Sequence, residues 1–221
     1  MTMHRAPVLL LGCLILFVHV PSSCAQNDRW DRRDKWQDVP GIFAAMALQP
    51  GSHVADIGAR DGYLTVRLAE AVGAEGRVYA VDIDGDALEK LRNNLADEDT
   101  SRVTLVHSEP DDPMLPDGLL DAVVVVNSYH EFEAYASMLK HIKAALKPGG
   151  RLVLVEPISK SRRVAMREVQ EDNHEIGIDY ARADLEAAGF DILDARDPFV
   201  KRKSQRDEMW LLIGRRPLMS Q

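Results

Sequence analysis

Cysteine is almost missing from this chain. Its 221 residues hold two, Cys13 and Cys24, both within the first 25 positions. Everything after Ala25 therefore lacks the means for a disulfide or a cysteine-based zinc site. Aromatic residues are sparse at 6%. Basic residues are the minority, 27 Lys and Arg against 35 Asp and Glu, for a net charge of −8. An acidic chain is a poor match for phosphate backbones, so nucleic acid is not an expected partner. There is no His-Glu-x-x-His, and the seven histidines lack tight ligand spacing, so no metal site is expected either. No low-complexity tract or internal repeat is present.

The first 25 residues stand apart. Arg5 gives a weakly positive start, Val8 to Val20 is nearly all apolar, and Pro21-Ser22-Ser23-Cys24-Ala25 follows. This is the order of a secretory signal peptide. The apolar stretch of 13 residues is shorter than the 20 or so that a transmembrane helix needs, so no stable transmembrane span is expected. Two processing routes stay open beside an uncleaved anchor: cleavage after Ala25, or lipidation of Cys24 as in bacterial lipoproteins, with Pro21 where Leu is usual. Either predicts an exported protein, periplasmic or secreted. Without residues 1–25 the net charge becomes −9, because Arg5 is the one Lys, Arg, Asp or Glu removed.

What remains has the length of one domain. Residues 26–49 read as an N-terminal helical segment and 50–217 as the main domain. The segment opens with a polar run, Asn27 to Asp38, holding Trp30 and Trp36. These tryptophans are either a lid over a ligand or packing groups of a solvated charged helix, the commoner role of such runs. Val39 to Leu48 reads as a short helix before Gln49-Pro50-Gly51-Ser52.

From His53 onward apolar strands alternate with helical patterns. Strands are read at His53–Ala59, Arg77–Ile83, Val103–His107, Leu120–Asn127, Arg151–Glu156, Asp191–Ala195 and Met209–Gly214. Helices are read at Gly62–Val72, Asp86–Leu95 and Tyr135–Leu146, with another around Ala183–Ala188. Lys147-Pro148-Gly149-Gly150 marks a helix end. Strands that are apolar throughout require cover on both faces. The expected fold is therefore α/β: a doubly wound, mostly parallel seven-stranded sheet with its site at the strands' carboxyl ends. No helix is evident between Arg196 and Glu208, which predicts an antiparallel last strand.

The chemistry concentrates after the first strand, in Asp56-Ile57-Gly58-Ala59-Arg60-Asp61-Gly62-Tyr63. A glycine-rich turn before a helix lets a ligand approach the backbone and offers it free N–H groups. Twenty residues past Gly62, Asp82 ends the second strand, where an acid can bind both ribose hydroxyls of an adenosine cofactor. A dinucleotide fingerprint would place glycines at 58, 60 and 63, and Gly58 alone matches. Asp56 would repel a pyrophosphate and suits an ammonium. These residues favour S-adenosylmethionine over NAD, and a nucleotide-dependent oxidoreductase is disfavoured.

With these motifs in view, the chain resembles the class I S-adenosylmethionine-dependent methyltransferases. The resemblance is to small-molecule enzymes such as the ubiquinone/menaquinone biosynthesis group. It runs from about Val39 to Pro217 and rests on VADIGARDGY (54–63), YAVDI (79–83), LDAVVVVNSYHEF (120–132) and LKPGGRLVLVEP (146–157). It implies a Rossmann-like fold and S-adenosylmethionine as cofactor. Asp56, Gly58 and Gly62 would shape the methionine end, Asp82 would bind the ribose and Ile83 would lie against the adenine. Glu109 would meet the adenine amino group, and Asn127 would sit beside the methionine moiety. Strand-end capping is the plainer role for Asp56 and Asp82. Arg60 departs from the family, standing where a second glycine is usual. Its side chain either impedes the cofactor or holds the cofactor's carboxylate.

Methyl transfer needs positioning and desolvation, and a base only when the acceptor must lose a proton. Candidates on the acceptor side are His130, in Tyr129-His130-Glu131, and His174, in the segment that supplies substrate contacts in the family. A helix-start role for His130 and a surface helix for His174 are the plainer alternatives. Glu156 at the end of the fifth strand reads as a salt-bridge residue. An arsenite-type acceptor is disfavoured because no thiolate cluster survives. The expected function is methyl transfer to a small organic acceptor. An exported, catalytically degenerate binding protein on the same fold is the alternative.

Overall fold

The computed structural model describes residues 29–95, 100–202 and 207–218. The stretch expected to be a signal peptide, with both cysteines, lies outside the described residues. Among the described residues, no helix is long and apolar enough to cross a membrane.

Seven strands form one sheet: β1 (His53–Ile57), β2 (Arg77–Asp82), β3 (Val103–His107), β4 (Leu120–Val126), β5 (Leu146–Ile158), β6 (Asp191–Arg202) and β7 (Asp207–Arg215). Their order is β3-β2-β1-β4-β5-β7-β6. Pairing is parallel from β3 through β5, and β7 runs antiparallel to both β5 and β6. This is the mostly parallel, doubly wound sheet with one reversed strand that the sequence pattern predicts.

The valines of β4 show why the sheet needs two covers. Val123 and Val125 pack with Met138, Leu139 and Ile142 of α4 (Tyr135–Ala145) and with Leu185 of α6 (Ile178–Ala187). Ala122, Val124 and Val126 face the other way, onto Ile42 of α1 (Val39–Met46) and Leu64, Leu68 and Val72 of α2 (Tyr63–Val72). Side chains alternate across a strand, so an unbroken apolar run is stable only between two helical layers. A smaller cluster seats Leu91 of α3 (Gly85–Asn94) against Ala59 and Ala80. Two helices open on acid caps. Asp38 accepts from the Gly41 N–H at the head of α1, and Asp84 accepts from the Asp86 and Ala87 N–H groups at the head of α3.

Beyond shifts of one or two residues at strand ends, three features differ from expectation. β5 begins at Leu146 rather than Arg151, because Leu120 and Leu146 pair before the register shifts. β6 continues past Ala195 to Arg202 through a register shift around Pro198. A short helix not read from the sequence, α5 (Arg167–Glu171), lies between β5 and α6. Periodicity is silent at all three places, since long-range pairing or a single turn decides them.

The 29–38 segment docks on the start of α2. The Trp30 ring meets Tyr63 edge-on at 6.0 Å, and the Tyr63 hydroxyl donates to Asp34 at 2.6 Å. Arg67 binds both Asp34 carboxylate oxygens at 2.8 Å. The tryptophans thus pack on the body, and Trp36 also walls a cavity at the carboxyl end of the sheet.

Candidate functional site

At the carboxyl ends of β1, β2 and β4 the chain leaves the sheet in three turns, and the space between them is the site. The Gly58–Arg60 turn divides it into two cavities. The larger, about 420 Å³, lies beside Asp82, Ile83, Ala87, Ser108, Glu109, Ser128, Phe132 and Met138. The smaller, about 200 Å³, lies beside Arg33, Trp36, Asp56, Val126, Asn127 and Arg202. Gly58 and Arg60 border both. The larger size is that of a small-molecule pocket.

Asp82 is buried, and each of its oxygens accepts one backbone N–H: Oδ2 from Arg60 at 2.8 Å, Oδ1 from Asp84 at 3.0 Å. It does cap the turns, as the plainer role supposed. A carboxylate has about four acceptor sites, so two remain for a diol. Beside it Ile83 is 56% exposed, an apolar side chain at a pocket wall with room for a flat ring over it. Glu109 is exposed on the same rim.

Asp56 is 3% exposed and accepts from the Thr65 hydroxyl at 2.7 Å. Burial pushes its carboxyl up to about 6, against the pull of the Thr65 hydrogen bond and the Arg33 charge. A buried acid of this kind gains from an arriving cation. Arg33 stands opposite, its guanidinium 4.1 Å from the Tyr63 ring centre. Burial holds its pKa below the ordinary arginine value, partly offset by Tyr63 and Asp56. Arg202 faces the same cavity and is paired with Asp207. The small cavity therefore offers an acid and guanidinium groups, complementary to an ammonium and a carboxylate.

The glycines also meet packing demands. A Cβ on Gly58 would stand 2.2 Å from the Ser128 hydroxyl, and its φ is +78°. A Cβ on Gly62 would stand 2.9 Å from Leu91, with φ +90°. Gly58 borders the cavities, but its missing side chain makes room for Ser128. Gly62 borders neither cavity and lets the α2 entrance pack on α3. Arg60 adopts φ +50° despite its side chain, so the turn keeps the left-handed geometry where the family has glycine. Asn127 is likewise at φ +57° and turns β4 into the smaller cavity.

On the far side, His130 is buried and its Nδ1 meets Glu156 Oε2 at 2.6 Å. Glu156 has no exposed surface, and its Oε1 accepts the Ser128 and Tyr129 N–H groups at 2.6 and 2.8 Å. Burial lowers the His130 pKa, and the Glu156 hydrogen bond and charge more than reverse that, for a net rise. Glu156 thus bonds His130 from the end of the fifth strand, the partner role expected of it. His174 lies in the turn after α5, at φ +56°, with its ring centre 5.7 Å from that of His130. It borders neither cavity.

The predicted cofactor residues Asp56, Gly58, Arg60, Asp82, Ile83, Glu109 and Asn127 are gathered at the two cavities, and Gly62 sits behind them. Sequence reasoning missed Arg33, Arg202 and Ser128. Charge runs carry no address, so nothing in the sequence brings Arg33 and Arg202, far apart in the chain, to one cavity.

Comparison with known proteins fits this geometry. Residues 54–150 match the family described as a methyltransferase domain. That stretch holds the Gly58–Arg60 turn, Asp82 and the Tyr129-His130-Glu131 run, so the similarity falls on the motifs that line the site. A demethylmenaquinone methyltransferase of Geobacillus sp. (strain WCH70) is 28% identical over 125 residues, covering 57% of this chain and 53% of the relative. A ribosomal protein L11 methyltransferase of Burkholderia mallei is 39% identical over 107 residues, covering 48% of this chain and 32% of the relative. The chain thus spans about half, or less, of the length of these curated relatives. The crystal structure of a SAM-dependent methyltransferase from Aquifex aeolicus shares the fold, with TM-score 0.69 and 19% identity over 85% of this chain and 97% of that one.

Proposed function

We propose that the protein transfers a methyl group from S-adenosylmethionine to a small organic acceptor. The observation that carries this reading is the pair of cavities joined at Gly58 and Arg60. One matches an adenosine, with Asp82 for the ribose hydroxyls, Ile83 for the adenine face and Glu109 for its amino group. The other matches a methionine zwitterion, with Asp56 for the ammonium and Arg33 and Arg202 for the carboxylate. A dinucleotide would bring a pyrophosphate against Asp56, which is unfavourable by charge. A cofactor bound this way places its sulfonium near the Gly58–Arg60 divide. An acceptor then enters from the side of Phe132 and Glu131, where His130 presents Nε2. The enzyme's tasks there are alignment and exclusion of water, because a sulfonium methyl already carries a good neutral leaving group.

A small acceptor is favoured by the demethylmenaquinone methyltransferase relative. The test is incubation of the protein with methyl-labelled S-adenosylmethionine and either a small-molecule extract or a size-excluded protein fraction. Label in the small-molecule fraction supports the reading. Label in protein alone, or none in either, overturns it, and the latter favours a degenerate binding protein.

The apolar leader is read as an export signal. The mass of the mature chain tests this: a start at Gln26 or a lipid on Cys24 supports export, and an intact Met1 contradicts it.

A further inference from the structure

We propose that His130, Glu131 and His174 form a binding site for a borderline divalent cation of the zinc type, at the acceptor edge of the larger cavity. This rests on the methyltransferase reading for its role, and on geometry alone for its existence.

Sequence spacing argued against a metal, because His174 lies 44 positions beyond His130. The fold removes that distance. One donor atom from each residue lies within 4.8 Å of the other two. His130 Nε2 is 3.7 Å from Glu131 Oε1. An ion held by bonds of about 2.0–2.2 Å keeps its donors roughly 3–3.5 Å apart, close to the present spacing. Glu131 and His174 are exposed, so small rotations close the remainder.

The support behind His130 is what a ligating histidine requires. Its Nδ1–H donates to Glu156, and the other Glu156 oxygen is held by two backbone N–H groups. That arrangement keeps the proton on Nδ1 and aims the Nε2 lone pair at Glu131 and His174. A general base would need this support too. It would not need a second imidazole edge-on at 74° and a carboxylate beside the same nitrogen. The local charge agrees. Glu131, Glu156 and Glu171 all act on His130. The nearby guanidinium of Arg167 is engaged by Glu171 and Asp184 and lies 4.0 Å from the Tyr135 ring centre.

Two imidazoles and one carboxylate select zinc and its neighbours over calcium or magnesium. Three protein ligands leave a coordination position open, the pattern of catalytic rather than structural sites. Glu131 also borders the larger cavity, so that position faces the acceptor. An acceptor hydroxyl bound there would lose its proton to water. Its oxygen would then form the bond to the methyl carbon as the carbon–sulfur bond breaks, and the bonding pair would return to sulfur to leave a neutral thioether.

The test uses the full-length chain, stripped with a chelator and titrated with Co²⁺ at pH 7.5 without S-adenosylmethionine. The expected result is one equivalent bound with a visible d–d band, displaced by Zn²⁺. His174→Ala and Glu131→Gln should each weaken Co²⁺ binding at least tenfold with no change in the thermal midpoint, since both side chains are exposed. No visible band, or wild-type affinity in either variant, would overturn the site. A parallel titration with S-adenosylmethionine separates the two readings. Failure there with Co²⁺ binding intact supports the ion site and removes the methyltransferase role; the converse removes the ion site alone.

Discussion

Asp56→Asn should stabilise the protein while weakening its cofactor site, and the gain should depend on pH. The carboxyl is 3% exposed and its pKa is raised by burial from 3.8 to about 6. The folded state therefore holds this proton more tightly than the unfolded chain does. Stability from Asp56 is fully present below the unfolded pKa and is lost as pH rises from about 4 through 6. A shift of about 2 units corresponds to about 3 kcal/mol, at 1.36 kcal/mol per unit. Asparagine never ionises, and its oxygen can still accept from Thr65. The stability difference between variant and wild type should therefore grow by about 2–3 kcal/mol between pH 4 and pH 8. Urea unfolding across that range, in the absence of cofactor, measures it. A difference that does not change with pH would refute the assignment of a buried, destabilised carboxylate. Cofactor affinity should run the other way. It should strengthen from pH 5 to pH 7 in the wild type, as Asp56 ionises to meet the ammonium, and stay flat in the variant.

Asp82→Ala should abolish S-adenosylmethionine binding by calorimetry, and unchanged affinity would show that the ribose lies elsewhere. Arg33→Ala should weaken the same binding by about 10- to 100-fold, the value of a lost charge-assisted hydrogen bond of 1.5–3 kcal/mol. Gly58→Ala should cost about 1–3 kcal/mol from overpacking against Ser128. Adding Ser128→Gly should recover part of that cost in urea unfolding, and no recovery would mean that the backbone angle dominates. Glu156→Ala strands two buried N–H groups and a buried imidazole, so a loss of about 3–5 kcal/mol is expected, readable as a lower thermal midpoint.

The strands and their covers were legible because each apolar run reports its own burial. The valines of β4 need helices on both faces wherever the strand lies in the sheet. Asp56 and Asp82 were legible for a related reason: they end strands, and strand ends in this architecture meet at one place. Arg33 and Arg202 were not, because a surface-like charge run does not reveal which arginine will turn inward. Gly62, expected to help shape the methionine end, also leaves room for Leu91, a packing demand that spacing does not encode. The cluster of His130, Glu131 and His174 was hidden for the same reason as the arginines. It exists only because the turn after α5 folds back over the end of β4.

The central claim is that the paired cavities at Gly58 and Arg60 hold S-adenosylmethionine. Calorimetric titration of the purified protein with S-adenosylmethionine, and separately with NAD, tests it most directly. The account predicts saturable binding of one equivalent of S-adenosylmethionine, abolished in Asp82→Ala, and no heat with NAD. Heat with NAD alone, or with neither, would contradict it.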